Sequence, residues 1–287
     1  MHASAGRIAC QRRRTLKIGR GTAGLFRALF LLMSPNKRVL CLGDLHVWPG
    51  PTPLAWQAFV NVAHEIRPEI ILLGGDMVDG ARVSRHAQRL GTKAPKLSEE
   101  VDELRRLLAM LPPCETRLWV WGNHDDRANQ YLATHATELG DYAGTLQDRF
   151  PEWSTAWAFS LGENCEARHR FKGGKNAAYN NTLHSGISTI TWHVHQQQVQ
   201  PQDDRNGRRY GIEPGMGADP YGPQFEYGEM APSRHVMGFA LVSFDEESTV
   251  LPPELCEHSY GKMLFRGKTV AGESKPRFRV RARSVAA

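Results

Sequence analysis

Four short clusters of carboxylates, imidazoles and one amide recur along this chain: Asp44-Leu45-His46, Asp76-Met77-Val78-Asp79, Asn123-His124-Asp125 and His193-Val194-His195. Each follows an apolar run, and Gly43, Gly75 and Gly122 immediately precede the first three. A single Asp after a strand is ordinarily a turn or helix-cap residue, and a single His is ordinarily a surface or core residue. Four such clusters in series call for another account. Oxygen and nitrogen donors without thiolates suit intermediate divalent metals such as Mn, Fe or Zn. On an extended backbone, Asp-x-His and His-x-His place both side chains on one face. One residue of each pair can then serve each of two metals, with a shared carboxylate such as Asp76 between them.

The elements that must carry these clusters are legible from periodicity. Arg38–Leu42, Ile70–Leu73 and Arg117–Trp121 read as short buried strands. A helix from Pro53 to Ile66, stopped by Pro68, separates the first two, and a helix from Ser98 to Leu111 with an acidic first turn separates the second and third. Strands alternating with helices predict a parallel sheet covered on both faces, with polar groups gathered at the carboxyl ends of its strands. Arg127–Gly162 reads as two or three short helices, Glu166–Phe171 as a strand, Gly174–Leu183 as a helix and Ser188–Val194 as a strand. Arg208–Ile212, Val236–Phe244 and Met263–Val270 read as strands of a second sheet, and residues 213–232 as a long surface loop.

The charge is unevenly distributed. Residues 1–32 carry seven basic side chains and no acid, residues 262–287 carry eight against Glu273 alone, and residues 33–261 carry 21 against 29. The body is therefore acidic and the +6 total resides in two basic arms. Solvated extensions are the preferred reading of these arms, with nucleic-acid contact as the alternative. The division expected is a basic segment 1–32, a catalytic domain 33–261 and a basic strand and tail 262–287. Residues 23–32 resemble the apolar part of a signal peptide, but Arg27 interrupts them and no small-x-small site follows. Met33 looks like a natural start, so residues 1–32 are expected to be disordered or an artefact of the assigned start rather than an export signal. Five scattered cysteines without a CxxC pair indicate neither a disulfide framework nor a thiolate zinc site. A reducing, cytoplasmic setting without membrane attachment is expected.

Gly43-Asp44-Leu45-His46, Gly75-Asp76-Met77-Val78-Asp79, Gly122-Asn123-His124-Asp125 and His193-Val194-His195 resemble the successive signature blocks of the calcineurin-like metallophosphoesterases. The resemblance runs from about residue 37 to about residue 245, with a weaker match to phage and bacterial members through the Gly215 loop. It implies an α/β fold of two sheets sandwiched and flanked by helices in four layers. It implies two divalent metal ions, Asp44, His46 and His195 holding one, Asp76 bridging, and Asn123 and His193 joining the second. One further histidine completes the second site; His169, before a Gly-Gly turn, is preferred to His184. The resemblance further implies hydrolysis of a phosphate ester by metal-activated hydroxide. Asn123 and His124 would contact substrate and His124 would protonate the leaving alkoxide, with Asp125 or Asp79 orienting it; His124 and Asp125 are the catalytic candidates.

One departure stands in the last block, where Trp192 occupies a position that the family usually gives to glycine. An indole there is expected to narrow the pocket or displace His193. The substrate class is open among phosphomonoesters, phosphodiesters, nucleotides, phosphoproteins and nucleic acids. A phosphodiester is preferred, since the long loop and basic tail are suited to guiding a strand. The alternative is a catalytically relaxed metal-binding scaffold. Arg208, Arg209 and Arg234 are further phosphate-contact candidates, against ordinary surface solvation.

Overall fold

The computed structural model describes residues 28–31, 36–85, 93–139, 144–228 and 234–272. The basic arms at 1–27 and 273–287 lie outside the described residues, as do parts of the loops near 88, 141 and 231. Strands β2 (Arg38–Leu42), β3 (Ile70–Leu73) and β4 (Thr116–Val120) run parallel, joined by helices α1 (Leu54–Ile66) and α2 (Leu97–Leu108). They form the middle of an eight-stranded sheet. Its remaining strands are β5 (Ser154–Ala156), β11 (Gly238–Ser243), β12 (Glu254–Ser259), β13 (Lys262–Phe265) and β14 (Lys268–Gly272).

A six-stranded sheet holds β1 (Ala28–Leu31), β6 (Ala158–Leu161), β7 (Cys165–Arg168), β8 (Ser188–Thr191), β9 (Gln197–Asp204) and β10 (Gly207–Pro214). Alternation along the strands divides the apolar side chains between two cores. Leu40, Leu42, Ile71, Leu73 and Trp119 pack against α1 and α2, while Val39, Cys41, Ile70, Leu72, Leu118 and Val120 meet Phe159, Leu161, Ile190 and Ile212 of the other sheet. Helix α4 (Ala177–Ser185) covers the outer face of the six-stranded sheet, where Thr182 bonds Thr189 and Asn181 donates to Thr191. The layers run helix, sheet, sheet, helix, in the four-layer sandwich expected.

Several expectations are corrected. The strands near 240 and 265 do not form a second sheet but extend the first, β11 pairing antiparallel with β2. The described residues of 127–162 include the α-helix α3 (Arg127–His135), two short 3-10 turns, and the strands β5 and β6, which are too short for periodicity to reveal. Residues 28–31 pair in parallel with β6 inside the segment expected to be an extension. Ser98 does not cap α2; Lys96 stands at the cap, and its N–H donates to Glu99. Among the described residues, no helix is long and apolar enough to cross a membrane.

Candidate metal centre

Beyond the ends of β2 and β3 the two chains continue side by side. The N–H groups of Asp44, His46 and Val47 donate to the carbonyls of Gly75, Asp76 and Met77, each at 2.9 Å. These loops are not extended. Asp44, His46 and Asp76 have φ of 49°, 39° and 48°, and His193 and His195 have 77° and 55°. The period-two argument for Asp-x-His and His-x-His therefore fails, because both pairs lie past their strands in left-handed turns. Non-glycine residues in that region carry backbone strain, and strain of this kind collects at functional sites. Nor do all the clusters share one sheet. Asp44, His46, Asp76 and Asn123 follow strands of the eight-stranded sheet, whereas His169, His193 and His195 follow β7 and β8 of the other. The site sits where the two sheets meet at their edge.

Three groups of side chains converge there: Asp44 with His46 and His195, His46 with Asp76 and His124, and Asp76 with His169 and His193. Within each group the ligand atoms lie within 4.8 Å of one another. Asp76 and His46 each belong to two groups, which is the sharing that two adjacent cations require. His184, the alternative to His169, is instead exposed at the far end of α4. Glycines make the approach possible: a Cβ on Gly122 would fall inside the Asp76 carboxylate, and one on Gly75 would lie 2.8 Å from His169 Nδ1.

The donor set fits divalent cations. Asp44 Oδ1, Asn123 Oδ1 and His195 Nδ1 are buried and engaged by no hydrogen bond, and His169 Nε2 meets only the Asp76 carboxylate, at 3.1 Å. Buried polar atoms are rarely left so. The His169 Nδ1 faces the Gly74 carbonyl at 2.8 Å and His46 Nδ1 faces Asp79 Oδ1 at 3.1 Å. Donation by each Nδ1 leaves its Nε2 lone pair directed inward, the outer-shell arrangement that fixes a ligating histidine. His46 Nε2 then meets His195 Nε2 at 3.3 Å. Burial works against charge on His169, but the Asp76 carboxylate beside it pushes its pKa up to about 9. Burial also opposes charge on Asp76, yet the His169 imidazole 3.1 Å away holds that carboxyl well below its usual range. Burial and the neighbouring His169 lower His193 to about 4, which keeps its lone pair free.

Of the two carboxylates expected to orient His124, Asp125 makes no hydrogen bond to it. Its carboxylate accepts from the N–H groups of Met77, Val78 and Gly122 and from the Trp119 indole, at 2.9 to 3.3 Å. It ties the β3 and β4 loops together. Asp79 is the carboxylate beside both imidazoles, with Oδ1 3.1 Å from His46 Nδ1 and 3.2 Å from His124 Nδ1. Burial would raise its pKa, but these two imidazoles hold it low. Glu100, in the first turn of α2, accepts from the N–H groups of Asp79 and Gly80 at 2.9 and 2.7 Å. Its burial raises its pKa to about 8. The sequence showed Glu100 only as a helix-start acid; the long-range role needs the fold.

Trp192 neither fills the pocket nor displaces His193. Its indole lies inward against Gly43 and Gly74, and a Cβ on Gly43 would stand 2.7 Å from its Cδ1. The following N–H, that of His193, donates to Asp44 Oδ2 at 3.0 Å. Arg208 and Arg209 pair with Asp203 and Asp204 on the β9–β10 hairpin, and Arg234 is exposed, so among the described residues these three are not brought into the centre. Two residues not foreseen do stand beside it. Phe225 packs edge-on against His46 and His195 at 5.3 and 5.7 Å between ring centroids, and His235 meets His195 at 4.6 Å. Phe225 lies in the long loop expected at 213–232 and His235 just beyond it, and nothing in the sequence singles out either position.

The chain is similar over most of its length to several solved structures. An archaeal phosphodiesterase shares 14% identity, over 76% of this chain and 99% of that one, with a TM-score of 0.39. A metallophosphoesterase from Sphaerobacter thermophilus shares 15%, over 78% and 90%, at 0.39. A dimetal phosphatase from Danio rerio shares 11%, over 84% and 100%, at 0.38. Comparison with curated protein sequences gave no match. The family profile described as calcineurin-like phosphoesterase matches residues 37–212, which contain every cluster assembled above. By that match the chain belongs to the calcineurin-like phosphoesterases.

Proposed function

We propose that this protein is a dinuclear metal-dependent hydrolase of phosphate esters, with a phosphodiester as its substrate. The observation that carries the reading is the sharing of Asp76 and His46 among three buried Asp/His groups, with inward atoms that lack hydrogen-bond partners. Asp44, His46 and His195 would hold one cation and Asn123, His169 and His193 the other, with Asp76 between them. Bound there, the two ions would supply Lewis acidity toward the phosphoryl group and toward water. His124 stands beside the donor set rather than outside it, its Nε2 3.8 Å from Asp76 Oδ2. With its Nδ1 fixed by Asp79, it presents Nε2 for delivery of a proton to the leaving oxygen.

The wall of Phe225 and His235 beside His46 and His195 supports a diester, since it offers apolar and aromatic surface to a second substituent on phosphorus. The basic arms flanking an acidic body support a nucleic acid or nucleotide as the source of that diester. The test is a panel assayed with Mn: a chromogenic phosphomonoester, a chromogenic phosphodiester, and single- and double-stranded DNA, with Asp76→Asn in parallel. Diester cleavage lost in Asp76→Asn is expected. Metal-loaded protein that cleaves nothing in the panel would favour the scaffold reading.

A further inference from the structure

We infer that Arg127 is a phosphoryl-binding residue that leaves His124 for the substrate, an inference that rests on the hydrolase reading of the same site. Arg127 opens α3, and its side chain is 18% exposed. Its Nη1 donates to the Asp79 carbonyl at 2.7 Å, and its Nη2 donates to His124 Nε2 at 2.9 Å. A guanidinium has no acceptor, so His124 Nε2 must accept in this bond. The other ring nitrogen, Nδ1, faces the same Asp79 carbonyl at 3.0 Å. Nε2 is therefore covered by a donor and unprotonated, and it must be uncovered and take up a proton from solvent before it can pass one to a leaving oxygen.

That donor must move before His124 can act, and the incoming phosphoryl group is the ligand suited to move it. The planar guanidinium fork matches phosphoryl oxygens in two-point contact, and an anionic acceptor adds charge–charge attraction that a neutral imidazole lacks. Arg127 thus exchanges a neutral imidazole for a charged oxygen while its Nη1 keeps a pivot on Asp79. Gly80, with φ of 62°, borders the Arg127 side chain, and a Cβ there would lie 3.4 Å from both its Cβ and Cδ. Substrate arrival would in this way uncover His124 only when a phosphoryl group is in place.

The test measures binding of inorganic phosphate to the Mn-loaded full chain by calorimetry, for wild type, Arg127→Ala, Arg127→Gln and Arg127→Lys, with Mn content determined for each. The expected result is at least a ~10-fold loss of phosphate affinity in the Ala and Gln variants, partial rescue by Lys, and a parallel rise in KM for the ester. Unchanged phosphate affinity in either metal-loaded Ala or Gln variant overturns the inference and leaves the hydrolase reading intact. Phosphate binding that depends on Arg127 in a wild-type protein that hydrolyses no ester overturns the hydrolase reading alone.

Discussion

The Trp192 indole occupies the volume that a side chain on Gly74 would fill, so the last block and the Gly74-Gly75-Asp76 block are packed as one unit. Gly74 itself has an ordinary φ; what excludes alanine there is the indole. Gly74→Ala should cost about 1–3 kcal/mol in denaturant unfolding, the usual range for overpacking. In a Trp192→Ala background the same change should add less than about 0.5 kcal/mol, because the clash is gone. Equal losses in the two backgrounds would contradict the packing described.

Asp79 follows β3 and Asp125 follows β4, and the two carboxylates should fail differently. His124→Ala should keep metal and stability and lower turnover by at least ~100-fold, as expected for a general acid. Asp79→Asn, which also strips the partner of His46 Nδ1, should lower turnover and weaken metal binding together. Asp125→Ala strips the acceptor from three backbone N–H groups and an indole, and should cost on the order of 3 kcal/mol or more in unfolding. Steady-state rates beside urea unfolding separate the two. A stable Asp125→Ala protein with selectively lost turnover would restore Asp125 as the orienting group.

Much of the centre was legible because its residues are of a type that folding alone does not ask for at strand ends. Asp44, Asp76 and His193 announce themselves in sequence by following apolar runs. What sequence could not give is their geometry, since left-handed turns replace the extended pairs that alternation predicts. Asp125 adjoins His124 in sequence and Asp79 does not, yet it is Asp79 that the fold sets beside the imidazole; only the partners across the loops separate their roles. Phe225, His235 and Arg127 carry no pattern of their own; each gains meaning from what the fold places opposite it. Trp192 was misread for the same reason, because the two glycines that receive its ring are far away in sequence and read as simple turn residues.

Glu100 gives the stability a pH dependence of predictable sign. Its folded pKa of about 8 lies above the ordinary 4.5, so between these values the folded chain holds a proton that the unfolded chain has lost. Stability contributed by Glu100 is therefore lost as pH rises from about 4.5 to about 8. Asp79, held low, has the opposite sign, and its contribution is already complete above its ordinary 3.8. Thermal melting of EDTA-treated protein at pH 5.5 and 8.5 should show Glu100→Gln gaining on wild type by at least ~3 °C at the higher pH. A difference that does not change with pH would count against a strained, buried carboxylate.

The most direct test of the central claim is the rate of chromogenic phosphodiester hydrolysis as Mn is added back to EDTA-stripped protein, with bound metal counted at each step. The account predicts no activity without metal, two Mn bound per chain at saturation, and a rate that rises with the second equivalent. Full activity after stripping, or activity that saturates with a single ion per chain, would contradict it.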